Sequence, residues 1–597
     1  TGVMFFPLAK AAQAKRFEYE TLIRSADDNL DGKAPNADLT RDALIALIRY
    51  AYEFPTLDAY NALESSIAQK GRHNRESRNR YRDTYATFMG HYPNYRHICA
   101  DYDRLYPLIK GNEELAQSVN RFVPWVRTSD DLITLLDSYL VQNTAKRIMR
   151  YHLYTGATVL TELAANLGDA ELTRPWMEWQ FSRVHTYPFP LAGIQHLTVS
   201  DADRSGAGLG GNSTGYAKLA YVHAQSLEGY NKAVGDSPFT LLNPQKYPKV
   251  YASLDWTIQM HFAGMQFLRV GDVSGPEKGP GFLLATTGKM GVIRTGWRWL
   301  KEPRFAAILA HFDDKIEHTP EQWQEIQDAA ATLRRLPMYD LRSRLLPNWG
   351  GILETGLQHD DPRFRRGLFV RIGQNYGHHH NDSLDLQLAA HGVPLLIDGG
   401  QRRGYNKPDS VEAEVHNLVT YDGRGGLDYS WLRSLSDQPG VQYLAARRGE
   451  PSGASLGDRQ VALIDVDEGE GSQPLPIEKQ KPGVKLPPVS ATANSYAFDV
   501  FRVNKGKLHR YHFHAMVNDE FQWNAQDVKP VAAREPIMGI RFPAHASNAA
   551  GTSPDYFTAT WRMQREKNEV STNGHEQNLL GKAFDPDAPT KFLRLHL

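Results

Sequence analysis

Apolar positions recur at two different periods along this chain, and the change falls near residue 345. Upstream the period is helical. "ALIALIRYAYEF" places Leu44, Leu47, Ile48 and Ala51 on one face, and "SDDLITLLDSYL" does the same with Leu132, Leu135, Leu136, Tyr139 and Leu140. "TPEQWQEIQ" opens with Thr319, Pro320 and Gln322, a capping box with proline at the first helical position. No strict internal repeat is visible. Many amphipathic helices in series fit a helical toroid or a solenoid.

Downstream, short runs rich in Val, Ile, Tyr and Phe follow one another: "LFVRI", "VPLLID", "HNLVTY", "VQYLAA", "QVALIDV", "YAFDVFRV", "HRYHFH" and "YFTATW". Turn residues punctuate them, which predicts an antiparallel β-sandwich or a large pair of sheets. Asp467 to Pro488, rich in Gly, Pro and charge, reads as a long exposed loop. In "HRYHFH" the histidines His509, His512 and His514 read as a polar strand face rather than as ligands. Helices first and strands second predict an α+β multidomain fold, with a helical domain over 1–340 and a β domain over 341–597. A length of 597 residues is too great for one core, and a site is expected where the domains meet.

Composition narrows the classes. Lys plus Arg equals Asp plus Glu, 68 of each, so any electropositive cleft must be local. The arginine-rich "KGRHNRESRNRYR", residues 70 to 82, reads as a solvated helix face. The single cysteine, Cys99, excludes an intrachain disulfide and a cysteine-rich zinc knuckle. No apolar run is long enough for a membrane span. The chain starts at Thr1 and ends in "KFLRLHL", which suggests processing or trimming; no signal peptide is visible. The 11 Trp, 28 Tyr and 24 Phe suit stacking on sugar rings as well as an ordinary large core.

Candidate chemistry concentrates in "GHHHNDSLDLQLAAHGVPLLIDGG", residues 377 to 400. An apolar run leads into Asp398, which puts the carboxylate at a strand end. His378 and His380 point the same way on an extended chain, with His379 opposite. His416 is expected to open the next strand, "HNLVTYDG". Imidazoles with one carboxylate suit Zn²⁺, and a polar hydrogen-bonded cluster is the plainer alternative.

The stretch "RIGQNYGHHHNDSLDLQLAAHGVPLLIDGGQRRGY" followed by "VHNLVTYDG" resembles the central motif of the heparinase II/III-like polysaccharide lyases. "YAFDVFRV" and "LHRYHFHAM" resemble the same family's later strands. The resemblance implies an incomplete (α/α) toroid followed by an antiparallel β-sandwich. It implies that His380, Asp398 and His416 hold a structural zinc, that His378 is catalytic, and that Tyr405 in "QRRGY" is a second active-site tyrosine. "GLGGNSTGYAKLAY" resembles the segment that delivers the main catalytic tyrosine, here Tyr216, with Asn212 beside it as a substrate contact. "VQNTAKRIMRYHL" resembles the helix whose first turn faces the substrate carboxylate, here through Asn143.

The implied reaction is β-elimination on a uronate-containing polysaccharide or oligosaccharide, and it needs these residue types. A base removes the C5 proton and the C4–O bond breaks. The charge that develops on the carboxylate needs donors placed in advance, which Asn143 supplies and to which Arg402 and Arg403 add. A tyrosine base needs cationic neighbours to favour its phenolate. Two other classes compete. A glycoside hydrolase on the same toroid would need two carboxylates across the scissile bond, and no such pair stands out. A non-catalytic carbohydrate-binding protein would keep the zinc set without needing Tyr216 and His378. The expected partner is an anionic polymer, not a nucleic acid or a membrane, and the expected location is periplasmic or secreted. The polymer itself, the mode of attack and the oligomeric state are not legible.

Overall fold

The structure is a computed structural model that describes residues 15, 17–23, 25, 36–53, 91–142, 144–145, 156–181, 219–235, 237–243, 245–264, 266–271, 290–313, 315–347, 349–357, 364–373, 380–390, 393–396, 398, 412–426, 429–449, 455–466, 494–514, 521–524, 558–563 and 591–596. Two compact units divide the described residues: one from Thr1–Ser200 and Leu219–Tyr247, the other from Pro248–Leu597.

The first unit is helical. Its elements are α1 (Ala37–Glu53), α2 (His91–Ile109), α3 (Glu113–Asn120), α4 (Ser129–Leu136), α5 (Gly156–Leu167), α6 (Ala170–Phe181) and α7 (Leu219–Val234). The predicted apolar face of α1 is the buried one, with Leu44, Leu47, Ile48 and Ala51 inside. Thr128 caps α4, and Asp131 bonds back to it. Beyond Leu136 the helix widens into a π turn, Asp137–Gln142, which keeps Leu140 and Val141 buried. Helix α5 lies against α2, α6 and α7.

The second unit begins with α8 (Pro248–Gln259) and a short hairpin, β1 (His261–Phe262) with β2 (Gln266–Phe267). Three more helices follow, α9 (Met290–Leu300), α10 (Pro303–Phe312) and α11 (Pro320–Ala330). The capping box read at Thr319 and Gln322 is present, with both reciprocal bonds.

Two antiparallel sheets form the body of this unit. Strands β3 (Arg344–Leu346), β4 (Gly350–Thr355), β5 (Arg366–Arg371), β6 (Leu386–Ala390) and β7 (Val393–Leu396) lie side by side in chain order. Strands β9 (Tyr429–Gln438), β10 (Val441–Gly449), β11 (Ser455–Val466) and β12 (Asn494–Val503) make a four-stranded meander. Between them β8 (Val419–Tyr421) pairs with β13 (His509–Tyr511). A small separate sheet joins β14 (Phe521–Asn524), β15 (Thr558–Met563) and β16 (Lys591–His596).

Side-chain alternation explains how the two large sheets pack. Leu353, Leu368, Val370 and Leu388 share one core with Leu444, Ala446, Val461 and Leu463 of the meander. The opposite parity, Ile352, Phe369 and Ala389, packs with Trp256, Met260, Phe262 and Trp349. The five-stranded sheet is therefore covered on both faces, and β4 and β5 are buried along their whole length. This is why α8 and the β1–β2 hairpin group with the strands. A buried carboxylate ties the two together: Glu354 accepts from the Ala263 amide at 3.0 Å and from Arg365 Nη2 at 2.9 Å. The composition change near 345 is where the two large sheets begin, while the compact unit that holds them starts earlier, at Pro248.

Candidate metal centre

Three residues distant in sequence converge at one end of the five-stranded sheet. His380 lies in the loop ahead of β6, and Asp398 lies just past β7. The β6–β7 hairpin pairs Leu388 with Leu396, so the chain leaving β7 runs out beside the chain entering β6. His416 ends the 3-10 turn Ala413–Val415 rather than opening a strand. That corrects the expectation for "HNLVTYDG": the strand starts only at Val419, because Leu386 N–H binds the Asn417 carbonyl at 3.2 Å and pulls the turn against β6.

His380, Asp398 and His416 are all buried, and one ligand atom from each lies within 4.8 Å of the others. His380 Nδ1 is 3.3 Å from His416 Nε2 and 3.6 Å from Asp398 Oδ2, and His416 Nε2 is 3.4 Å from Asp398 Oδ2. A tetrahedron with vertices about 2.0–2.1 Å from its centre has edges of about 3.3–3.4 Å, so these spacings suit a zinc-sized ion. Two imidazoles and a carboxylate are the donors such an ion takes. The tautomer agrees as well. His416 Nδ1–H donates to the Glu412 carbonyl at 2.9 Å, which leaves the Nε2 lone pair facing the other two ligands.

The charges respond to this crowding. Burial pushes the Asp398 carboxyl upward, but the His416 and His380 charges outweigh it and hold it well below the ordinary carboxylate range. Burial pulls the His416 imidazole downward, and the Asp398 carboxylate more than reverses that, raising it to about 9. Nearby Asp385 is also buried. Its Oδ1 accepts from the Asn417 amide at 2.7 Å, and burial raises its carboxyl to about 7. Gly426, at φ +79°, lies against the loop just after His380, and its carbonyl accepts from the Ser383 amide at 3.0 Å.

The other candidates from sequence divide plainly. Tyr216, Asn212, Asn143, His378, His379, Arg402, Arg403 and Tyr405 lie outside the described residues, as do the arginine-rich 70–82 segment and the 467–488 loop. The "HRYHFH" histidines bind protein groups: His509 meets the Lys505 carbonyl, His512 meets Thr420 Oγ1, and His514 meets the Glu414 carbonyl. Among the described residues, His380, Asp398 and His416 form the one group with metal-site geometry. Sequence reasoning missed Asp385, Gly426 and the buried Arg459. Strand parity was the available signal for Arg459, which alternates in step with Val461 and Leu463.

Comparison with known proteins adds the following. No family model matches the sequence, and no curated protein matches it. Among solved structures it is similar to a heparinase III gene product, with a TM-score of 0.42 and 11% identity over 76% of this chain and 64% of that one. Heparan sulfate lyase HepC from Pedobacter heparinus matches with a TM-score of 0.39 and 12% identity, over 76% of this chain and 60% of that one. A further heparinase III structure matches with a TM-score of 0.39 and 10% identity, over 94% of this chain and 83% of that one. This chain thus spans less than two thirds of the first two.

Proposed function

We propose that this chain is a polysaccharide lyase that cleaves a uronate-containing polysaccharide or oligosaccharide by β-elimination, on an incomplete (α/α) toroid followed by a β-sandwich. The observation that carries the reading is the convergence of His380, Asp398 and His416 into one buried cluster with zinc-sized spacings. The same three positions are those the lyase-like motif singles out. Zinc at this cluster supplies a brace for the fold, and no step of the reaction passes through it.

The reaction belongs to the residues around the cluster's motif and in the helical half. Tyr216, with His378 tuning it or sharing the proton, takes the C5 hydrogen as a proton. The C5–H electron pair becomes the C4–C5 double bond, and the C4–O pair leaves on the glycosidic oxygen. That oxygen takes a proton from a tyrosine, Tyr216 or Tyr405, so no water and no redox partner is consumed. Asn143 donates to the substrate carboxylate where charge develops, and Asn212, Arg402 and Arg403 hold the anionic chain. A periplasmic or secreted location fits a polymer substrate. Among the described residues no helix is long and apolar enough to cross a membrane.

The test is a panel of uronate polymers followed for the ultraviolet absorbance of a double bond conjugated to a carboxylate. Absorbance should grow with the wild-type chain and fall by about 10²–10⁴ in rate with Tyr216→Phe, which removes only the hydroxyl. Cleavage without any absorbance, or a Tyr216→Phe variant at the wild-type rate, contradicts the reading.

A further inference from the structure

The loops that carry His380 and His416 meet on a single buried side chain. Arg459 enters from β11 of the other sheet with no exposed side-chain surface. Its Nη1 donates to the Leu384 carbonyl at 2.5 Å and to the Asn417 carbonyl at 2.6 Å. Its Nε and Nη2 grip Asp499 at 2.9 Å and 2.7 Å, and Nη2 also reaches the Tyr511 hydroxyl at 3.4 Å. A guanidinium has five N–H donors in a fixed plane, and here each has an acceptor. Tyr511 in turn donates to Asp499 at 2.9 Å, and the Phe501 ring lies 5.2 Å from the guanidinium carbon.

The acceptors explain what this arrangement does. Asn417 directly follows His416, and Leu384 lies in the loop between His380 and β6. Leu384 adopts φ +66°, a left-handed conformation unfavourable for a residue with a side chain, so its carbonyl needs an external hold. Two carbonyls bound to one Nη1 have a fixed separation. The bidentate carboxylate stops the plane from swinging. A buried ion pair is a poor device for stability alone, since apolar packing does as well or better.

We propose that Arg459, locked by Asp499, is a positioning residue that sets the separation of the His380 and His416 loops so that the His380–Asp398–His416 cluster matches a metal ion before one arrives. The inference rests on the metal reading of that cluster, and its test separates the two. The full-length chain is stripped of metal, its Zn²⁺ affinity is measured by competition with a chromophoric chelator, and the metal-free protein is melted. Asp499→Asn should weaken Zn²⁺ binding by about 10–100-fold, the range of lost outer partners of metal ligands. Arg459→Lys, with three donors in place of five, should weaken it as well. Asp465→Asn is the control, because Asp465, on the same strand, directs its carboxylate to β5 and β4 instead, pairing with Arg366 at 3.0 Å and accepting from Thr355 Oγ1 at 2.6 Å. It should lower the melting temperature and leave the Zn²⁺ affinity unchanged.

Wild-type affinity in Asp499→Asn, or an equal loss in Asp465→Asn, overturns the positioning role while leaving the metal site standing. A wild-type chain that takes up no Zn²⁺ overturns the metal reading and this role with it. Should Asp499→Asn fail to fold, Tyr511→Phe carries the test. It removes one bond to Asp499, should weaken Zn²⁺ binding detectably, and overturns the role if the affinity stays at the wild-type value.

Discussion

Gly426→Ala should disconnect the metal centre through a single methyl group. The Cβ it adds would stand 1.8 Å from the Asn381 carbonyl oxygen and 2.3 Å from its carbon, and Asn381 is the residue after His380. Side-chain carbons essentially never approach closer than 3.0 Å, so the two backbones must part by about 1.2 Å. Metal–ligand distances tolerate about 0.2 Å, so this displacement is several times what a preformed site accepts. Zn²⁺ affinity should therefore fall by at least the roughly 10–100-fold typical of disturbed ligand support. Gly423 supplies the control. It has φ +70° but nothing within 4 Å of an added Cβ. Gly423→Ala thus incurs only the left-handed penalty of about 1–2 kcal/mol, a melting shift of roughly 1–3 °C in a unit of this size. Chelator competition and thermal melts on both variants give the readout. Equal Zn²⁺ affinity in the two would refute the argument, because it would show that the Asn381 contact does not govern where His380 lies.

Ligand and neighbouring histidines should behave differently. His380→Ala should lose the metal and melt earlier, whereas His512→Ala, which breaks a 2.9 Å bond to Thr420, should keep it; metal analysis of the two purified variants decides. The metal-free chain should lose stability in alkali. Its His416 is raised from 6.5 to about 9, so the contribution is complete below pH 6.5 and lost as pH rises through 9. The size is roughly 3 kcal/mol. The lowered Asp398 carboxyl acts in the opposite direction, its contribution present above the ordinary carboxylate range and lost as pH falls well below it. Melts of the metal-free chain at mildly acidic and strongly alkaline pH check this, and equal stability at both would count against the His416–Asp398 pair.

The centre was legible where sequence marks chemistry by residue type. Asp398 follows an apolar run and His380 closes a run of three histidines ahead of another, so both stand out against the strands they flank. His416 was legible as a ligand candidate but not as a turn residue. "HNLVTY" has strand composition throughout, and what holds His416 out of the strand is a bond from β6 to Asn417. Arg459 was misleading for a similar reason. An arginine among Gln460 and Asp458 looks solvated, yet parity with Val461 and Leu463 turns it inward, where Asp499 neutralises it. The helix faces at Leu44 and Leu132 were readable because local periodicity fixes them. The widening of the helix at Asp137–Gln142 was not, since nothing in "DSYLVQ" breaks the period. That α8 and its hairpin belong with the sheets depends on Trp256 meeting Trp349, a contact across most of a hundred residues.

The most direct test of the whole account is the mass of the cleavage product made in water enriched in the heavy oxygen isotope. Elimination adds no water across the broken bond. Each new non-reducing end should therefore be one water lighter than a hydrolysis product, and neither fragment should carry the label when masses are read before the reducing-end hemiacetal exchanges its oxygen with the solvent. Labelled, saturated fragments would contradict β-elimination and make this chain a hydrolase.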